Sequence, residues 1–181
     1  ALTLEFTSVK VNVVVMGGVN DDELDDFVGF IRHRPLTVRF IEFMPFKGNG
    51  WQGGTVVTAE EMRQRLSARY ALLPVSPATE SAAVATEYTI PDIRGRIGFI
   101  SPLSEAFCAR CSRLRLTADG CLKSCLFKPA ELNLRPFLRG EATDEGLSAL
   151  IRSAVAQKPY AHPPASALMA ANDRVMCDIG G

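Results

Sequence analysis

The strongest constraint on this chain is the run from Phe107 to Cys125, in which Cys108, Cys111 and Cys125 frame Arg113 and Arg115. Two thiolates separated by two residues can grip one soft metal centre from a single turn. A third, thirteen residues further on, can return beside them if the chain folds back as a hairpin. A 4Fe-4S cluster held by only three cysteines keeps one iron open to a substrate. Arginine is always charged and its planar fork matches phosphate, so Arg113 and Arg115 sit where an anionic ligand would lie.

Hairpin parity sharpens this reading. Alternation along an extended strand puts Cys111, Arg113, Arg115 and Thr117 on one face and Leu114 and Leu116 on the other. The turn is Ala118-Asp119-Gly120. A three-residue loop with glycine in the left-handed position pairs Thr117 with Cys121 and Arg113 with Cys125, bringing Cys125 onto the face of the arginines. A two-residue Asp-Gly turn would pair Leu114 with Cys125 and aim that thiol away. The cluster reading therefore requires the longer loop or a bulge.

Four of the five cysteines fall between 108 and 125, too clustered for simple core filling, and an odd number argues against a disulfide framework. Zinc is a serious rival, since Cys121 could complete four thiolates. Spacing alone leaves zinc and iron-sulfur open.

Elsewhere the pattern is that of an α/β chain. Val9 to Met16 alternates valines on one face with Lys10 and Asn12 on the other. Asn20 is positioned to cap a helix carrying Leu24, Phe27, Val28 and Ile31, which ends by Pro35. Leu36 to Phe43 reads as a buried parallel strand. After a loop at 47–54, Thr58 and Glu61 form a capping box that starts a helix with Met62 and Leu66 inward. Pro74 and Pro77 mark a linker. Beyond it, Val84 to Ile90 and Arg96 to Ile100 read as strands expected to join the cysteine hairpin in an antiparallel sheet. A helix is expected at Thr143 to Gln157, with Leu147, Leu150, Ile151 and Val155 on one stripe.

Lysines and arginines balance aspartates and glutamates at 20 each, so no overall basic field points to nucleic acid. No apolar stretch approaches the roughly 20 residues needed to cross a bilayer. His33 and His162 read as lone loop or surface residues.

The segments Val9 to Met16, Val19 to Glu23, Val38 to Phe46 and Phe107 to Phe127, with the final Gly180 and Gly181, resemble the C-terminal half of the GTP 3',8-cyclase family. This is the molybdenum cofactor biosynthesis protein A family of radical S-adenosylmethionine enzymes. The resemblance implies an α/β fold. Residues 1–75 would be the C-terminal part of an incomplete TIM-like radical barrel. Residues 76–181 would be an antiparallel sheet and hairpin domain carrying a 4Fe-4S cluster.

It also implies a site. Cys108, Cys111 and Cys125 would hold the cluster, with its open iron facing guanine. Lys10, Arg113, Leu114 and Arg115 would bind GTP, Met44 would touch S-adenosylmethionine, and the tail Gly180-Gly181 would reach the active site. The implied partners are GTP, an N-terminal radical-generating half and a second copy in a homodimer, in the cytoplasm or, for a eukaryotic source, the mitochondrial matrix.

Three departures stand out. Gly17 replaces a common arginine, and Cys121 and Cys177 are extra to the motif. No CxxxCxxC occurs, because the first cysteine is Cys108. The radical-generating cluster is therefore expected to be missing and the chain alone to be inactive. The alternative is a non-catalytic binding module stabilised by zinc or an iron-sulfur cluster.

Overall fold

The computed structural model describes residues 1–4, 6–76, 84–129, 132–140, 143–171, 175–176 and 179. The chain forms two compact units, one of residues 1–44 with 52–107 and one of residues 45–51 with 108–181.

The first unit is a five-stranded mixed sheet backed by two helices. Strands β1 (Lys10–Val15), β2 (Thr37–Glu42) and β5 (Arg96–Ile100) run parallel, with β2 in the middle. Strand β4 (Thr86–Thr89) pairs antiparallel with β5, and the short β3 (Leu73–Pro74) with β4. The valine alternation in β1 decides which face is buried: Val13 and Val15 pack into the core, as do Val38, Phe40, Ile97 and Phe99 from the other strands. Helices α1 (Leu24–Ile31) and α2 (Ala59–Ser67) cover this face with Leu24, Val28, Ile31, Met62 and Leu66. Each such side chain taken fully out of water contributes about 1.5–3 kcal/mol before entropy is charged against it. Gly95 is required where β5 begins, since a Cβ there would lie 2.6 Å from the Ile31 Cβ and 2.7 Å from the Leu36 carbonyl oxygen.

Of three local signals, one is read as expected and two differently. The capping box holds: the Thr58 hydroxyl accepts from the Glu61 N–H at 3.2 Å, and Glu61 accepts from the Thr58 N–H at 2.7 Å. Asn20, however, does not cap α1, whose N-cap is Glu23. Its side chain instead accepts from the Met16 N–H at 2.8 Å and donates to the Val14 carbonyl at 3.0 Å, bracing the chain as it leaves β1. The second difference is topological. Strands β4 and β5 join the first sheet and not the cysteine hairpin, because β5 offers a buried apolar run, Ile97 to Ile100, that is satisfied beside β2. The break expected at 75/76 thus lies inside the first unit. The α/β class holds, as an open sheet among the described residues with β1 and β3 at its edges.

One buried polar group ties this unit together. Glu42 has no solvent exposure. Its carboxyl oxygens accept from the Ala59 N–H at the start of α2 (2.9 Å), from the Leu103 and Ser104 N–H groups (2.9 and 3.1 Å) and from the Ser104 hydroxyl. A side chain at the end of β2 thereby satisfies the buried first N–H of α2 and ties the loop at residues 103 and 104 to the same carboxyl.

The second unit is built on a three-stranded antiparallel sheet: β6 (Arg115–Leu116), β7 (Cys121–Lys123) and β8 (Leu132–Asn133). Helices α3 (Arg135–Arg139), α4 (Asp144–Ala156) and α5 (Ala165–Ala171) follow. Thr143 caps α4 by accepting from the Gly146 N–H at 3.2 Å. The stripe that α4 buries is Leu147, Ile151 and Ala154, packed with Leu122, Leu132 and Leu134. Val155, expected on it, is 45% exposed because the apolar arc is centred one position earlier. Buried Phe46 belongs here, its ring stacked on Phe127 at 5.9 Å, while His162 meets Phe127 edge-on.

Glu42→Ala should lower the unfolding free energy of the chain by about 2–3 kcal/mol, since it strands the buried Ala59 N–H and removes the acceptor shared by Leu103 and Ser104, and Glu42→Gln should cost less because an acceptor oxygen remains. Urea titration followed by circular dichroism measures both; an Ala variant as stable as wild type would refute the clamp. Gly120→Ala should cost about 1–2 kcal/mol from its positive φ of 80°.

Candidate site on the cysteine hairpin

The turn that sets the hairpin register has the longer form. Arg115 pairs with Lys123 and Leu116 with Leu122, which places Thr117 opposite Cys121 across the loop Ala118-Asp119-Gly120. The Thr117 N–H donates to the Cys121 carbonyl at 2.9 Å and the Gly120 N–H to the Thr117 carbonyl at 2.9 Å, with Gly120 left-handed at φ 80°. The buried Thr117 hydroxyl also accepts from the Cys121 N–H at 2.9 Å and contacts the Asp119 carboxyl. A glycine takes this backbone conformation without the Cβ clash that other residues meet.

Parity follows from that register. Leu114 and Leu116 are 40% and 59% exposed, whereas Arg113 and Arg115 are half-buried and Thr117 is buried. The hairpin therefore turns its polar face inward, the reverse of an ordinary amphipathic strand. Lys123, opposite Arg115 on that face, is fully buried.

Electrostatics show which groups lie together. Burial, and after it the neighbouring charge of Arg113, hold the Arg115 guanidinium below the ordinary arginine range, while Cys111 and Cys125 pull it back up. Both cysteines are thus within electrostatic reach of Arg115. At Cys111, burial opposes ionisation. Hydrogen bonds from the Arg113 N–H, the Arg113 side chain and Lys158 outweigh it, so the thiol sits below its usual value. Cys108 and Cys111 lie on one tight turn, with the Cys111 N–H donating to the Cys108 carbonyl at 3.1 Å.

The structure therefore groups Cys111, Cys125, Arg113 and Arg115. Leu114 is on the same strand but faces outward. Cys108, Cys111, Cys121 and Cys125 are all free thiols. Among the described residues, no group of three or more His, Cys, Asp or Glu side chains is arranged to hold a metal ion. The donor chemistry suits a soft metal: four free thiols on one hairpin and the turn that leads into it, one with a lowered pKa, beside cations that offset thiolate charge. Lys10 and Met44 belong to the first unit. Lys10 is exposed on the sheet face opposite the valines, and Met44 is half-buried just past β2. Gly180, Gly181 and Cys177 lie outside the described residues.

Three cations escaped the sequence reading. Lys123 shares the parity of Cys121 and Cys125, so the same register argument would have found it. Arg39 lies opposite Asn12, on the face of Lys10, with its guanidinium 2.8 Å from Glu87; strand alternation would have flagged it. Lys158 carries no local signal. Its Nζ reaches the Cys111 carbonyl at 2.6 Å and the Cys111 sulfur at 3.3 Å across 47 residues of sequence.

Residues 36–164 match the family model Molybdenum Cofactor Synthesis C. The chain is 46% identical over 162 residues to molybdenum cofactor biosynthesis protein 1 of Bos taurus, covering 90% of this chain and 25% of that protein. It is 42% identical over 181 residues to the mitochondrial GTP 3',8-cyclase of Arabidopsis thaliana, covering 100% of this chain and 46% of that protein. Against the GTP 3',8-cyclase of Heliobacterium modesticaldum it is 41% identical over 182 residues, covering 100% of this chain and 56% of that protein. The chain thus spans about a quarter to about half the length of these relatives. Its match runs through the cysteine hairpin and through the sheet and helices of both units, and the chain belongs to the Molybdenum Cofactor Synthesis C family.

Proposed function

We propose that this chain provides the GTP-binding, second-cluster portion of a GTP 3',8-cyclase in molybdenum cofactor biosynthesis. The observation that carries this is the inward polar face of the hairpin, where Arg113 and Arg115 lie with Cys111 and Cys125. Relatives are named GTP 3',8-cyclase, which does not favour a non-catalytic zinc or iron-sulfur module.

In this reading Cys108, Cys111 and Cys125 hold a 4Fe-4S cluster. Bound there, the cluster would supply an open iron able to take a ligand atom from the guanine base. The chain's own residues do the rest by binding and orientation. Arg113 and Arg115 are two like charges at a half-buried site, so an anionic ligand placed between them is favourable, which suits a triphosphate. Lys10 adds a cation from the sheet, and the backbone at Leu114 offers polar groups to the base. Met44 contributes an apolar contact to S-adenosylmethionine. Gly180 and Gly181 form the tail that enters the site.

Holding the ribose in one pose is how such a site would favour reaction. The radical chemistry requires a CxxxCxxC loop, and in this reading that step belongs to an N-terminal radical-generating half. With it, β1, β2 and β5 would form part of a TIM-like radical barrel. A homodimer, and a reducing compartment such as cytoplasm or mitochondrial matrix, complete the reading. Among the described residues no helix is long and apolar enough to cross a membrane.

Anaerobic reconstitution with iron and sulfide, followed by Mössbauer spectroscopy during GTP titration, tests this directly. The expected result is a 4Fe-4S signal that changes with GTP; zinc bound by four thiolates with no response to GTP would sink it. Replacing Arg113 or Arg115 by Ala should weaken GTP binding by about tenfold to a hundredfold each, the loss of a charge-assisted hydrogen bond, with iron content retained.

A further inference from the structure

Residues 111–114 carry the site but precede the paired residues of β6, which begin at Arg115. Their carbonyls are therefore not held by the strand ladder. Lys158 takes that place. Its Nζ lies 2.6 Å from the Cys111 carbonyl oxygen, 3.1 Å from the Arg113 carbonyl oxygen and 3.3 Å from the Cys111 sulfur. An ammonium has three N–H donors, and these contacts account for all three.

Lys158 is itself well anchored. It follows the C-cap of α4, and its N–H donates to the Val155 carbonyl at 3.0 Å. The helix is docked by Leu147, Ile151 and Ala154 against Leu122 and Leu134. A lysine fixed at its backbone by a packed helix, and at its tip by two carbonyls and a sulfur, works as a strut between α4 and the cysteine loop.

We infer that Lys158 is a positioning residue for the cysteine site: it fixes the backbone from Cys111 to Arg113, so that thiol and guanidinium are presented together, and donates a hydrogen bond to the Cys111 sulfur. The second role rests on the cluster reading proposed above. A cation and a hydrogen bond at a ligand sulfur stabilise the more negative, reduced cluster, so they raise its potential.

Lys158→Met keeps the aliphatic stem and removes all three donors. In the metal-free full chain, amide hydrogen exchange across 108–114 should speed up about tenfold or more, the loss of more than about 1.4 kcal/mol of local protection, while amides of β7 and α4 keep their wild-type rates. In the reconstituted chain, the variant should release iron to a chelator faster and show a lower midpoint potential by redox titration. Lys158→Gln, which retains amide donors without the charge, should recover part of the loop protection but not the potential. Wild-type exchange across 108–114 together with an unchanged potential in Lys158→Met would overturn the inference. A wild-type chain that takes up no iron would remove the cluster reading, and the metal-free exchange would still decide the strut.

Discussion

The three-residue turn at Ala118-Asp119-Gly120 is the constraint on which the site depends. Side chains in a strand alternate with a period of two, so one residue more or fewer in the loop would exchange the two faces of the returning strand. The left-handed Gly120 and the hydrogen bonds of Thr117 fix the loop at three residues. Cys121 and Lys123 then share parity with Arg115, while Arg113 and Cys125, just outside the paired residues, lie within electrostatic reach of Arg115. The Gly120 carbonyl also accepts from the Leu134 N–H at 2.9 Å, which links the turn to the end of β8 and the start of α3.

That arrangement concentrates positive charge where a strand would normally bury apolar groups. Leucines point out while arginines and a lysine point in. Such a face is costly by itself, since desolvating like charges side by side is unfavourable. It is favourable when anionic groups, thiolates or a phosphate-bearing ligand, occupy the same space. The lowered Cys111 thiol, and the Arg115 guanidinium held down by burial and then by the charge of Arg113, are two consequences of this one concentration of charge.

The first unit uses a different device. Its sheet is stabilised by ordinary apolar packing on the helical face, but its end is organised by Glu42, whose carboxyl collects donors from α2 and from residues 103 and 104. Buried polar groups of this kind contribute specificity when fully satisfied and are costly when not. The opposite face carries Lys10, Asn12 and the Arg39–Glu87 pair, so the polarity of that surface comes from strand residues and not from loops.

Much of this was legible in the sequence. Valine alternation, the apolar spacing of α1, the Thr58 capping box and the odd-length turn are short-range signals, and each depends only on neighbours a few residues apart. The choice between two turn lengths could be posed from sequence because parity has only two answers. Asn20 was misread because a side chain that can cap a helix can equally satisfy a strand end, and the two differ only in backbone conformation. What tertiary structure alone decided was partner choice. Strands β4 and β5 paired with β2 instead of the hairpin because a five-residue apolar strand is equally content beside any apolar neighbour, and only the assembled sheet ranks them. Lys158 reached Cys111 because the packing of α4 brought it there. Residue types and spacing set the thiols, the arginines and the two parities open to the hairpin; the fold chose between those parities and supplied what holds the site in place, since contacts across tens of residues leave no periodic trace along the chain.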